Sequence, residues 1–324
     1  MGKLYTATME EQEIEALGLD GFRSGVWADG ARMEALVGSA DAWKTSQAAY
    51  YLLLWCRENG VDPSEQLDVG DEIVVPHAEY GDIPCILIGK GIDGTGSLTF
   101  ITREIVCQRC FDAPEPTNPN ASRRNSGSSR YSQSNILQWL NSAKPAGGQW
   151  YKAQHEYDAP PDGTNVSVNA YDTEAGFLCG FDLHFLNALQ PVSKVTALNT
   201  VTDGGGSETV RTFQTVGGTG TQKMFLPSYT ELGRSVSNVV EGTAYPYFTD
   251  EASRKASFSD YALAHTEFSD AASDLNDKRT GALWVTRSAN PQYTYSMRVV
   301  GWNGDLGGRQ ANLPSLGIRP AFVL

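Results

Sequence analysis

The stretch WVTRSANPQYTYSMR (Trp284–Arg298) sets a tryptophan, two tyrosines and two arginines among small polar residues near the end of an acidic chain. Together with the residues after it, this stretch decides the fold. YTYSMRVVGW (Tyr293–Trp302) is strand-like, NGD (Asn303–Asp305) is a strong two-residue turn signal, and GIRPAFVL (Gly317–Leu324) ends on an apolar strand. A chain that stops on AFVL must bury Phe322 and Leu324 or fray. Pro320 has no N–H to give a ladder, so it belongs where none is required. Tyr293 and Tyr295, two apart in a strand pattern, are expected on one face, and their small polar neighbours let that face stay exposed. Tyrosine offers a large contact area with few rotatable bonds and a hydroxyl, which suits a recognition surface.

Upstream, the chain divides by texture. TMEEQEIEALGLDGF (Thr8–Phe22) has apolar residues at helical spacing before a glycine stop, and ADAWKTSQAAYYLLLWCRENG (Ala40–Gly60) reads as an amphipathic helix. After Gln66 the β-branched and aromatic runs DEIVVPH, IPCILIGK and SLTFITREIVCQ, separated by glycine-rich turns, start a β-rich domain near Leu67. The expected organisation is therefore a helical segment, 1–66, for docking or oligomerisation, and a ligand-display domain, 67–324. GKGIDG (Gly89–Gly94) imitates a dinucleotide fingerprint, but a strand pattern follows it where a helix would be needed, so it is read as a hairpin loop. Ala113–Ser134 reads as a long irregular loop. SNILQWLNS (Ser134–Ser142) is a short helix with a capping serine, and GFLCGFDLHFLNAL (Gly176–Leu189) is a second one. VSKVTALNTVTDGGGSETVRTFQTVGG (Val192–Gly218) resembles a β-ribbon around a glycine turn, and KMFLPSYTELG (Lys223–Gly233) brings the chain back to the core. The class is α+β with long loops.

Composition narrows the chemistry. A net charge of −13 disfavours phosphate backbones and anionic lipid, and the only short basic stretch is SRRNSGSSR (Ser122–Arg130). The longest apolar run, Ala48–Cys56, is about half of the ~20 residues a spanning helix needs. The first residues lack an apolar stretch, so no cleaved export signal is expected; MGKLYT fits the myristoylation pattern at the level of chance. Five scattered cysteines suit a reducing compartment, and the C-x-x-C pair Cys107/Cys110 lacks further ligands at zinc spacing. The four histidines form no zinc motif, and neither a G-x-S-x-G elbow nor a Walker loop occurs. Acidic pairs such as Asp274/Asp277 and Asp250/Glu251 are read as solvated loops or a structural calcium site rather than as a glycosidase pair. No cofactor is expected.

GSSRYSQSNILQWLNS, AQHEYDAPP, EAGFLCGF, NTVTDGGGSETV, KMFLPSYTELG and the closing LWVTRS and LGIRPAFVL resemble domains of unknown function encoded by prophages of gut Firmicutes. These are related to the formylglycine-generating-enzyme branch of the C-type lectin fold, which includes the variable proteins of diversity-generating retroelements. The resemblance covers Leu67 to Leu324. It implies a C-type lectin-like domain anchored by Trp284, Arg287, Ser288, Gly317, Arg319 and Pro320, with the last strand pairing with the first, DEIVVP. It implies ligand-binding residues Asn290, Gln292, Tyr293, Tyr295, Asn303, Asp305, Gln310 and Asn312 within a display region from Asn290 to Ser315. The implied function is a non-enzymatic recognition protein of a phage virion, assembled in the bacterial cytoplasm. Its partners would be a bacterial surface protein or glycan, other virion proteins and further copies of itself, with no nucleic acid and no membrane insertion. The alternatives are a structural capsid or tail decoration and a sulfatase-modifying enzyme. The enzyme chemistry needs reactive cysteines late in the domain, and none follows Cys179.

Overall fold

The computed structural model describes residues 30–215, 218–236, 239–265 and 281–324. The helix expected over Thr8–Phe22 and the acids Asp274 and Asp277 lie outside them. Helix α1, Gly30–Val37, leads through a 3-10 turn, Ala40–Trp43, into α2, Ser46–Asn59. The side chain of Thr45 accepts the Ala48 N–H, and the Gly60 N–H returns to the Cys56 carbonyl, so both ends are capped and the helix is shorter than the expected span. Every residue from Gln47 to Cys56 is buried, far more than an amphipathic stripe provides. The cause is tertiary. The helix lies on β1 and shares one core with Phe100, Phe185 and Phe322. Its Arg57 donates to the carbonyls of Gly96 and Leu324, each at 2.8 Å. The described part of the 1–66 segment thus buries its apolar surface inside this chain.

The β-rich part forms two five-stranded sheets. β1 (Glu72–His77), β2 (Gly81–Lys90) and β3 (Leu98–Thr102) make a meander, with the GKGIDG stretch turning from β2 to β3. The closing strand β14 (Ala321–Val323) pairs with β3 and with β9 (Met224–Phe225). The expected pairing of the last strand with DEIVVP is corrected: β2 and β3 separate them, because β14 joins the meander at its β3 edge and β1 keeps the outer edge of the sheet. Phe322 and Leu324 are buried as the chain end requires. This sheet is covered on both faces. Leu87, Phe100 and Phe322 face one core, and their neighbours Ile88, Ile101 and Val323 face the other, as the alternation of a strand dictates.

The second sheet runs β12 (Leu306–Gln310), β11 (Ser296–Val300), β10 (Trp284–Ala289), β13 (Gly317–Ile318) and β4 (Cys107–Gln108). The chain passes between these two sheets four times, from β3 to β4, from β4 by way of the intervening helices and hairpins to β9, from β9 to β10, and at Arg319–Pro320 from β13 to β14. A proline interrupts a ladder without leaving an unused donor, which fits that corner. Between the sheets' strands lie α3 (Ala121–Ser126), inside the stretch expected to be irregular, and α4 (Asn135–Leu140), capped by Ser134. The expected helix over Gly176–Leu189 divides into a 3-10 turn, Phe177–Gly180, and α5 (Leu183–Ala188), because Asp182 accepts the Phe185 N–H and starts a new helix. The ribbon pairs β5 (Lys194–Ala197) with β6 (Ser207–Val210), and Gly204, Gly205 and Gly206 take the left-handed backbone its turn needs. A further hairpin, β7 (Thr212–Thr215) with β8 (Gly218–Thr221), follows. Short helices α6 (Glu251–Arg254) and α7 (Asp260–Ala264) complete the described elements.

Candidate recognition site

The site starts from a buried ionic platform. Arg287 on β10 is wholly buried, and its guanidinium donates to the carbonyls of Val195 (3.1 Å), Leu226 (2.8 Å) and Glu241 (2.9 Å) and to the Glu231 carboxylate. Glu231 also accepts from Lys194 (3.1 Å) and the Ser228 N–H (3.0 Å). Lys194 reaches Asp93 and the Tyr245 hydroxyl (2.7 Å), with its ammonium 3.9 Å from the centre of the Phe225 ring. Burial alone would push the Glu231 carboxyl up, but Arg287 and Lys194 outweigh it and hold it below the ordinary range. The same balance, with Lys194, Thr99 and Tyr245 as donors, lowers Asp93. Glu241 goes the other way: burial raises it, although Arg287, the Ser288 hydroxyl and the Ala197 N–H all favour its charge. Three carboxylates and two cations so placed tie β10 to β5 and to the chain at Leu226–Glu231, Glu241 and Tyr245.

The other anchor positions serve the same frame. Trp284 is buried, and its indole N–H donates to Arg254 O at 3.0 Å. The Ser288 hydroxyl joins Glu241 and accepts the Tyr229 N–H (2.8 Å). Arg319 lies 5.1 Å over the Trp284 ring and donates to Thr102 O (2.7 Å), and burial lowers its pKa to about 10. A Cβ at Gly317 would stand 2.5 Å from Leu283 O, so the parallel contact of β13 with β10 needs glycine there. Pro320 is buried and accepts the Thr102 N–H through its carbonyl (3.0 Å).

Beyond Ala289 the chain leaves the sheet and turns. The expectation of Tyr293 and Tyr295 in a strand is corrected: they occupy turns that precede β11, and the cause is local. Pro291 lacks an N–H, and the Asn290 side chain accepts the Gln292 N–H (3.1 Å), which closes the chain on itself. Neighbours then fix the turn from three sides. Thr200 donates its N–H and hydroxyl to Pro291 O (2.8 and 2.7 Å), Ser129 donates its N–H to Thr294 O (2.9 Å), and Ala311 donates to Tyr295 O (2.8 Å). The backbone is held while the rings point out. Tyr293 is 47% exposed, and its ring centre stands 5.8 Å from that of the half-buried Tyr295.

Next to the rings lies an open depression of about 380 Å³, to which Asn290 and Ser296 contribute from one side and Gly308, Arg309, Gln310 and Leu313 from the other. A Cβ on Gly308 would stand 3.3 Å from the Ser296 hydroxyl and 3.4 Å from the Asn290 amide, so the missing side chain keeps this space open. Four of the expected ligand-binding residues therefore converge: Asn290, Tyr293, Tyr295 and Gln310. Gln292 is exposed on the turn but does not line the depression. Asn312 donates its amide to Asn125 O (3.1 Å) and serves as a tie. Asn303 and Asp305 sit in the turn at the far end of the β11–β12 hairpin, where the Asn303 side chain accepts the Asp305 N–H (3.3 Å). An antiparallel hairpin puts its turn and its open end about 15 Å apart over five residues a strand, so those two do not join the others. Sequence reasoning missed Ser296, Gly308, Arg309 and Leu313. The glycine pair Gly307–Gly308 inside a strand was the available signal, since such glycines mark a close approach.

Elsewhere the candidate chemistry resolves into structure. Burial pushes the thiols of Cys56 and Cys107 up to about 11 and about 12, and those of Cys85 and Cys110 higher still, which keeps them protonated. His77 is buried, with its ring nitrogens engaged by Phe177 O and the N–H groups of Glu79 and Tyr80. Asp250 caps α6. Among the described residues no three His, Cys, Asp or Glu side chains converge to hold a metal ion, and no helix is long and apolar enough to cross a membrane.

Compared with known proteins, residues 96–324 match the family model of a domain of unknown function, DUF6273. No curated protein and no solved structure matches.

Proposed function

The chain belongs to the DUF6273 family of domains of unknown function, and we propose that this member is a recognition module of C-type lectin-like type. In this reading it is a non-enzymatic, virion-associated protein of a phage or prophage that binds a component of a bacterial surface. The observation that carries it is the turn at 290–296: its carbonyls are tied by Thr200, Ser129 and Ala311 while two tyrosines are presented beside an open depression. A binding surface that is already ordered loses less entropy when it engages, so fixing the backbone under exposed aromatic rings favours recognition. Stability alone does not require Tyr293 to face solvent. Virion spikes are commonly symmetric, and the module is proposed to act as an oligomer alongside other virion proteins.

The test is a binding screen of the wild-type chain and a Tyr293→Ala/Tyr295→Ala variant against intact bacterial cells and a glycan array, with circular dichroism on both. Binding by the wild type that falls at least about tenfold in the folded double variant supports the reading, since each aromatic anchor is worth ~1–3 kcal/mol. Absence of binding by either protein would leave a structural capsid or tail decoration as the better account.

A further inference from the structure

We propose that the depression beside Tyr293 takes an acidic glycan, with Arg309 pairing its anionic substituents; this rests on the recognition reading above. The charge distribution carries the argument. Residues 284–324 contain four arginines against a single aspartate, a local charge of +3 in a chain whose total is −13. Arg287 and Arg319 are buried, and the lone Asp305 sits at the opposite end of the hairpin. Arg309 is exposed at the depression, donates only to Gly308 O (2.9 Å), and has no carboxylate within ion-pair distance among the described residues.

The short basic stretch Ser122–Arg130 folds onto this same edge. Asn312 donates its N–H to Ser126 O and its amide to Asn125 O, both at 3.1 Å. Within that stretch Arg123 is matched by Asp203 (3.0 Å) and Arg130 by Glu208 (2.8 Å), whereas Arg124 donates to Asn118 O and meets no carboxylate among the described residues. Two unmatched guanidinium groups thus belong to one edge of an otherwise acidic molecule. Such a patch attracts sparsely charged anions, while the surrounding negative field repels a continuous polyphosphate backbone.

The remaining lining points to sugar. Gln310 offers a donor and an acceptor in one plane, as hydroxyl-rich rings require, and Asn290, whose side-chain oxygen is engaged by the Gln292 N–H, adds its amide N–H group. Tyr293 offers an apolar face, and the bare Gly308 lets a ring come close. At about 380 Å³ the space lies at the small end of ligand clefts.

The experiment uses the full chain and a panel of uronate-, sialate- and phosphate-bearing oligosaccharides, each beside its carboxyl-reduced or dephosphorylated counterpart, with an acidic peptide and single-stranded DNA as competitors. The wild type is expected to prefer the acidic member of at least one pair. Arg309→Gln should cost about tenfold or more on that member, the value of a charge-assisted contact, and leave the neutral counterpart within about twofold. Raising salt from 0.05 to 0.5 M should erode the preference, as screening of an exposed pair demands, over roughly these concentrations. Equal binding of both members, an unchanged Arg309→Gln variant, or capture only by peptide or DNA overturns the proposal. So does a wholly negative panel: if tyrosine-dependent binding to cells persists, only the glycan assignment fails, and if cell binding is also absent the recognition reading fails with it.

Discussion

The Arg287 guanidinium makes four hydrogen bonds from a position with no solvent contact, and its value lies in what its removal would strand. Arg287→Met leaves Glu231 with Lys194 as its only cation among the described residues and removes a side-chain donor from the carbonyls of Val195 and Leu226, while Glu241 O keeps the Ser228 hydroxyl (2.7 Å). A loss of about 3–5 kcal/mol is expected, read from the midpoint of urea unfolding. Arg287→Lys should recover little of it, because one ammonium cannot reproduce the guanidinium fork. Tyr293→Ala, on an exposed ring, should stay within about 0.5 kcal/mol of wild type in the same assay. If Arg287→Met unfolded like the wild type, the platform would not be what fixes the turn. Residue by residue, the sequence marks Arg287 and Ser288 as anchors only through resemblance. It has no means of naming Glu231, Glu241 or Lys194 as partners, because those contacts span 56, 47 and, from Lys194 to Glu231, 37 positions.

At the scale of elements, strands are more legible than the turns between them. β1, β2 and β3 follow from β-branched runs between glycine turns, and α4 from Ser134 and its apolar neighbours. The two tyrosines are misplaced by an alternation that runs on through Asn290 and Pro291, whose local chemistry ends the strand first. The Asn303–Asp305 turn is legible, and it makes a sharp prediction. Gly304 has φ of 86°, and a Cβ there would stand 1.9 Å from Glu251 O, so Gly304→Ala should destabilise by at least ~2 kcal/mol while its neighbour Asn303→Ala does not. Thermal unfolding of the pair decides it. A second prediction concerns the 154–159 turn, where Asp158 accepts the Gln154 N–H (2.7 Å). Burial pushes its carboxyl up to about 6, against an ordinary value near 4. The folded state therefore holds that proton more tightly than the unfolded chain, and the stability this contributes is complete below about pH 4 and lost as pH rises through about 6. Asp158→Asn should match wild type at pH 4 and exceed it increasingly up to pH 7 in denaturant unfolding. A difference that shrinks with rising pH would contradict the assignment.

For the whole molecule, the chain end is its keystone. β14 lies between β3 and β9, Phe322 stacks on its cross-strand neighbour Phe100 and meets Phe185 of α5 in the core, and Arg57 of α2 binds the Leu324 carbonyl. Deleting Ala321–Leu324 removes an interior strand and should leave no cooperative unfolding transition by circular dichroism; a truncated chain that still unfolds sharply would show the first sheet to be independent of its closing strand. The α+β class and the burial of the chain end are legible from composition and the AFVL terminus. The two-sheet arrangement is not, because the sheet changes at 103–106 and 319–320 arise from long-range pairing rather than local pattern. The same arrangement brings Ser129, Thr200 and Ala311 to one turn, and so the central claim can be tested without touching the tyrosines. The most direct measurement is the affinity of Gly308→Val beside wild type for the same cells or glycan. The added side chain fills the floor of the depression at a strand position whose backbone any residue can adopt. A folded variant is expected, with both tyrosines in place and binding reduced at least about tenfold, roughly the worth of one lost hot-spot contact. Undiminished binding by the folded variant would contradict the claim, because the ligand would then not enter the space beside Tyr293.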